Sequence, residues 1–232
     1  MTAQQLMARR RSSLRLVIFD CDGVLVDSEP LANRILAADI SMRGWTMATA
    51  EATRRFVGMT LRDVRPVVEV RLGTALPADW QATVEARIVA ALAKEAVAVP
   101  GAIEAVRAVE AMGVAWRIAS NSSHAEMGAK FGRLGIAGLV AGRVHSFTDV
   151  AAGKPAPDLF LAAARAAGAA AAECVVIEDS RPGVQAAMAA GMDCLGFAPH
   201  DTGAALQAAG AVVFHAMSEL PGLLRAAQRR AA

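Results

Sequence analysis

The stretch Leu16-Val17-Ile18-Phe19-Asp20-Cys21-Asp22-Gly23 is four apolar residues closed by two acids and a glycine. An apolar run this short, stopped by turn-forming residues, marks a strand buried on both faces in a parallel sheet. Comparable runs recur at 114–119, 144–147, 174–177, 194–197 and 212–214. Helical stretches lie between them, near 102–112, 123–134, 158–167, 182–190, 202–209 and 218–228. Ser123 with Glu126 makes a capping box, Pro182 suits a first helical turn, and Gly113, Gly135, Gly168 and Gly191 suit helix ends. Strands alternating with helices imply the α/β class, a doubly wound parallel sheet covered on both faces.

Between about 30 and 97 this rhythm breaks. Trp80, Val84, Ile88 and Leu92 recur every four residues, Leu61, Val64, Val68 and Leu72 do much the same, and no convincing strand intervenes. The segment is expected to be an all-helical cap inserted after the first strand. The boundaries follow: a Rossmann-like core of 1–28 and 99–232, and a helical cap of 29–98.

Composition narrows the function classes. The chain has 232 residues, 55% of them hydrophobic, and a formal net charge of +2. Such a chain can bury a large core and presents no global field for nucleic acid or an anionic membrane. No uncharged run approaches the ~18 apolar residues of a membrane span. Arg9, Arg10 and Arg11 precede an apolar stretch too short for a signal peptide. Cys21, Cys174 and Cys194 are odd in number without CxxC spacing, and the four histidines lack zinc-binding spacing. A cytoplasmic protein in a reducing compartment is expected, a monomer or weak homo-oligomer whose partner is a small molecule. The lysines are Lys94, Lys130 and Lys154 alone.

Asp20 and Asp22 stand at the carboxyl end of the first expected strand, the edge where open α/β sheets bind ligands. If the chain stays extended through Cys21, both carboxylates face the crevice and repel, which calls for a cation such as Mg²⁺. Taken alone, Asp-x-Asp-Gly is also ordinary turn chemistry. Three more segments end predicted strands in the same way. Ser120-Asn121-Ser122-Ser123 offers hydroxyls and backbone N–H groups as an anion site or as a helix cap. Gly153-Lys154-Pro155-Ala156-Pro157-Asp158 holds a lysine between glycine and proline. Glu178-Asp179-Ser180 adds two acids. Four turn or cap explanations at four strand ends are collectively poor.

Together these segments resemble the four motifs of the haloacid-dehalogenase-like superfamily, and an all-helical cap after the first motif is similar to its sugar-phosphate phosphatases and β-phosphoglucomutases. The resemblance implies that Asp20 is the nucleophile and forms an aspartyl-phosphate, and that Asp22 is the general acid and base. It implies Mg²⁺ held by Asp20, the Asp22 backbone carbonyl and Asp179, with Glu178 assisting. It also implies phosphoryl oxygens bound by Ser120, Asn121 and Lys154. Cys21 reads as a small packed residue. Dehalogenases lack the second aspartate, and phosphonate-cleaving relatives use a cap lysine, whereas Lys94 sits at the far end of this cap. β-Phosphoglucomutases carry a histidine and a lysine where this chain has Ala32 and Val57. Hydrolysis of a small sugar phosphate or sugar-acid phosphate such as 6-phosphogluconate is therefore expected, with the mutase as the alternative. Gly44-Trp45, Arg54-Arg55 and the segment from Phe56 to Thr60 are candidates for a specificity loop, or else a helix end with solvated arginines.

Overall fold

In a computed structural model, residues 13–56 and 59–228, with 2, 3, 5 and 7, are described. Arg9, Arg10, Arg11, Val57 and Gly58 lie outside them. Strand β1 (Leu16–Phe19) is fully buried along its length and pairs in parallel with β4 (Ala115–Ser120) on one side and β6 (Cys174–Glu178) on the other. With β5 (Val144–Ser146), β7 (Asp193–Phe197) and β8 (Val212–Phe214), the parallel sheet has the order β5-β4-β1-β6-β7-β8.

The two-residue period of a strand divides the core into two layers. Val17, Phe19, Val175 and Ile177 face one way, onto α5 (Ala102–Ala111), α6 (His124–Arg133) and α11 (Leu220–Gln228). Leu16, Ile18, Cys174 and Val176 face the other, onto α8 (Asp158–Ala166), α9 (Arg181–Ala189) and α10 (Ala204–Ala209). The doubly wound α/β class expected from the run pattern is thus the observed one. The chain leaves β1 toward β4 and β5, then crosses to β6 on the other side of β1. That reversal opens a crevice at the carboxyl end of β1.

Among the described residues, four helices lie between β2 (Val26–Asp27) and β3 (Val97–Ala98): α1 (Glu29–Met42), α2 (Thr49–Phe56), α3 (Leu61–Leu72) and α4 (Trp80–Glu95). Trp80, Val84, Ile88 and Leu92 are all buried, and the first core layer continues through them into this insert. The antiparallel pair β2–β3 ties its two ends, at the edges of the 30–97 segment in which the sequence reading found no strand, and was not anticipated there. Two residues are too few to carry a period. Phe147, read as the end of a strand, instead opens a 3₁₀ turn at Phe147–Asp149. The short helix α7 (Ala137–Val140) precedes β5.

One buried acid knits the insert together. Asp39 on α1, 2% exposed, accepts from Arg43 Nε at 2.8 Å, from Trp80 Nε1 at 2.7 Å and from Arg87 on α4 at 2.9 Å. Asp39→Ala leaves the Trp80 N–H without its partner and two guanidinium groups without their counterion. It should destabilise the protein by about 2–3 kcal/mol, read as a lower denaturation midpoint in urea with tryptophan fluorescence as the probe.

Candidate active site

The carboxyl end of β1 runs straight into a tight turn. Leu25 and Val26 N–H groups both donate to the Cys21 carbonyl at 2.9 Å, and Gly23 N–H donates to the Val26 carbonyl at 2.8 Å. Gly23 has φ of 73°, and a Cβ there would fall 1.8 Å from Asp179 Oδ2, so only glycine allows the turn and the approach of Asp179. The chain therefore bends at Cys21 instead of staying extended. Asp20 and Asp22 both stay at this strand end but meet different partners, and what is corrected is the extended backbone expected between them.

Asp20 is buried and is met by Lys154, whose Nζ donates to Asp20 Oδ1 at 2.5 Å and to Glu178 Oε1 at 2.7 Å. Asn121 pins the backbone of Lys154 from both sides: Lys154 N–H donates to Asn121 Oδ1 at 2.9 Å, and Asn121 Nδ2 donates to the Lys154 carbonyl at 3.1 Å. Glu178, fully buried at the end of β6, accepts from the N–H and hydroxyl of Ser180 at 2.9 and 2.8 Å. Gly183, in the first turn of α9, makes room for it, since a Cβ there would lie 1.8 Å from Glu178 Oε1.

Asp20, Glu178 and Asp179 each offer a carboxylate oxygen within 4.8 Å of the others. Burial drives the Asp20 carboxyl up to about 7, with Glu178 and Asp22 adding to the rise and Lys154 opposing it. Asp179 is likewise raised by burial and by Glu178 and Asp20. Three carboxylates facing one ammonium are under-compensated, and an all-oxygen set of this kind fits a hard divalent cation such as Mg²⁺.

Asp22 has the opposite environment. Its Oδ1 accepts from Lys130 Nζ at 2.5 Å and from the Ser28 hydroxyl, and its Oδ2 accepts from Ser122 Oγ at 2.7 Å and Ser120 Oγ at 3.1 Å. Burial works against this charge. The Lys130 ammonium, with hydrogen bonds from Lys130, Ser28 and Ser122, outweighs it and pulls the Asp22 carboxyl down to about 2. Burial alone would lower the Lys130 ammonium, but Asp22 more than compensates and raises it. Cys21 is fully buried and its thiol is pushed up by burial, which keeps it an unreactive packed group.

All the residues singled out in the four motifs converge here, and the structure adds three. Lys130 and Ser28 carry no role in the sequence reading, and the Ser122 hydroxyl stands there only within an anion site or helix cap, not as a partner of Asp22. The available signal for Lys130 was its phase, since it shares the buried face of α6 with Met127 and Phe131. Of the candidate loop residues, Arg55 is exposed and engaged with Glu51 at 3.3 Å and with the Trp45 ring at 5.2 Å, and Arg54 is exposed; Ala32, at the position where mutases carry a histidine, is partly buried against the core.

A parallel sheet with this strand-end quartet of acids and a pinned lysine defines a hydrolase core, and the family model for haloacid dehalogenase-like hydrolases matches residues 14–191. The chain belongs to that family. It is similar to the 6-phosphogluconate phosphatase of Escherichia coli, 27% identical over 93% of this chain and 96% of the relative. It also matches hexitol phosphatase A of Escherichia coli, at 32% identity over 80% of this chain and 84% of the relative. Among solved structures, a hydrolase of the same family from Deinococcus radiodurans, with bound phosphate and sodium, superposes with a TM-score of 0.75 at 33% identity, covering 91% of this chain and 98% of that one. Among the described residues no helix is long and apolar enough to cross a membrane.

The elevated Asp20 carboxyl carries a sign that can be checked. Its folded value of about 7 lies above the ordinary carboxylate range, so its contribution to stability is full at low pH and is lost as pH rises toward 7. A divalent cation such as Mg²⁺ on this carboxylate would need the ionised form and would have to expel the proton below that value. The apparent Mg²⁺ affinity, measured by calorimetric titration, should therefore fall up to roughly tenfold per pH unit below about 7 for each proton displaced, and Mg²⁺ should raise the melting temperature more at pH 8 than at pH 6.

Proposed function

We propose that this phosphoric monoester hydrolase cleaves a small phosphorylated sugar or sugar acid, 6-phosphogluconate being the leading candidate, through an aspartyl-phosphate on Asp20. The observation that carries the reading is the placement of Asp20 at the end of β1, in contact with Lys154 and beside Glu178 and Asp179. The similarity to the two phosphatases supports the substrate class.

Asp20 uses a carboxylate oxygen to attack phosphorus, and the bond between phosphorus and the ester oxygen breaks. The departing alkoxide takes a proton from Asp22, which is ionised in the free enzyme and takes that proton up when the anionic phosphate ester binds beside it. Water then attacks the aspartyl-phosphate and gives a proton back to Asp22, the bond from phosphorus to Asp20 breaks, and inorganic phosphate leaves. Ester plus water has become alcohol plus phosphate, and both aspartates are restored. In this reading Lys154 and the Ser120–Asn121 strand end neutralise and orient phosphoryl oxygens, the part of phosphoryl transfer that a protein can supply. Mg²⁺ held by Asp20, Asp179, Glu178 and the Asp22 carbonyl would supply charge neutralisation for the phosphoryl group and let Asp20 remain ionised. Cys21, Cys174 and Cys194 are buried, and their odd number without CxxC spacing fits a reducing compartment such as the cytoplasm.

Asp20→Asn should abolish turnover of every phosphate ester while leaving the melting temperature at or above that of the unaltered protein, because it removes a buried charge without opening a cavity. Residual activity above a few per cent of the unaltered protein's would sink the nucleophile assignment. Substrate class is tested on a panel of phosphorylated sugars, sugar acids and polyols with Mg²⁺, assayed for free phosphate. A further incubation with β-glucose 1-phosphate and catalytic glucose 1,6-bisphosphate separates the two chemistries. Free phosphate should accumulate in step with substrate loss, and glucose 6-phosphate formed faster than phosphate would establish the mutase instead.

A further inference from the structure

Lys130 is the most deeply buried lysine in the described structure, 2% exposed, on a helix whose other inward residues, Met127 and Phe131, are apolar. A lysine in that position loses its hydration, and a buried ion pair is rarely more stable than an apolar pair of the same volume. Packing alone therefore gives no reason for an amine at this position. Its contacts do. Lys130 Nζ donates to Asp22 Oδ1 at 2.5 Å and to Ser122 Oγ at 2.8 Å, and the same Ser122 hydroxyl donates onward to Asp22 Oδ2 at 2.7 Å. One ammonium thus reaches both oxygens of the carboxylate, one directly and one through a hydroxyl, and this fixes both the location of the group and the plane in which it lies. Ser120 Oγ, at the end of β4, holds Oδ2 from the phosphate-binding side at 3.1 Å. The amine itself is held firmly. Helix α6 is packed against α4 of the insert, and Arg133 Nε on α6 donates to the Lys94 carbonyl on α4 at 2.7 Å.

We infer that Lys130 is the positioning residue for Asp22: together with Ser122 it orients the Asp22 carboxyl group toward the ester oxygen that leaves. The inference rests on the reading of Asp22 as acid and base and adds a residue that this reading did not include. Lys130 touches no reacting atom and acts through Asp22.

The test exploits leaving groups. Departure of an alkoxide needs a well-placed acid, whereas nitrophenolate departs without one, and kcat/KM reports the steps up to that departure. The variants are Asp22→Asn, Lys130→Met, Ser122→Ala and the double variant Asp22→Asn/Lys130→Met. The substrates are p-nitrophenyl phosphate and the fastest alkyl phosphate of the panel, both with Mg²⁺. Asp22→Asn should lower kcat/KM for the alkyl phosphate at least ~100-fold and at least ~10 times more than for p-nitrophenyl phosphate, and Lys130→Met should lower it about 10- to 100-fold for the alkyl phosphate and less than about threefold for p-nitrophenyl phosphate. In the double variant the alkyl phosphate should react no more slowly than with Asp22→Asn alone, the non-additivity of residues that act as one. Should Lys130→Met fail to fold, Ser122→Ala carries the same comparison, with the same asymmetric loss expected at smaller size. Equal losses on both substrates in Lys130→Met or Ser122→Ala, with Asp22→Asn still asymmetric, would overturn the positioning role and leave the acid role of Asp22 standing. Equal losses in Asp22→Asn would overturn both.

Discussion

Four carboxylates, those of Asp20, Asp22, Glu178 and Asp179, crowd the carboxyl end of a strand that is buried on both faces, and the described residues bring two ammonium groups to meet them. Charge in a poorly hydrated place has to be matched or neutralised. Much of the surrounding structure follows from that requirement. Lys154 arrives on a loop whose backbone is clasped by Asn121, Lys130 arrives on a helix fixed against the insert, and Gly23 and Gly183 keep the acids' own approach clear. The switch point at β1 makes these arrivals possible, because loops from strands on both sides of it converge on one edge.

The matching is deliberately uneven. Asp22 is over-satisfied, with an ammonium and three hydroxyls on its two oxygens, while Asp20, Glu178 and Asp179 share one lysine. The two motif aspartates, separated by a single residue, are consequently driven in opposite directions, Asp20 up to about 7 and Asp22 down to about 2. Divergent environments for paired carboxyl groups are how one fold gives them different tasks. The under-matched side is where a cation of higher charge adds most, and the over-matched side is where geometry is held.

Much of this was legible in the sequence because the informative residues stand where strands stop. Asp20, Ser120 and Glu178 end apolar runs, and Lys154 sits in a glycine–proline turn, so their local chemistry is conspicuous against the pattern. Lys130 was not legible by the same rule. It lies in the middle of a helix, where a single charged residue on an apolar stripe is easily read as a long side chain reaching past the core to solvent. Its partner comes from 108 positions away, and no local pattern encodes that distance. The β2–β3 pair escaped for a different reason, since its two-residue strands take their structure from each other and not from any period of their own. The apolar four-residue spacing of α4 succeeded because Trp80, Val84, Ile88 and Leu92, the large apolar residues that carry it, all turn inward and are buried.

The burial of Lys130 and Lys154 also has a practical side. Arginine supplies nearly all the cationic surface of this chain, so of its three lysines only Lys94, at the end of α4, faces solvent. Amine-reactive reagents therefore meet a molecule with a single lysine handle in its folded state. A tether or fluorophore placed through that handle sits on the insert and leaves the acids of the core untouched, while acylation of either other lysine is a chemical record that the interior has opened.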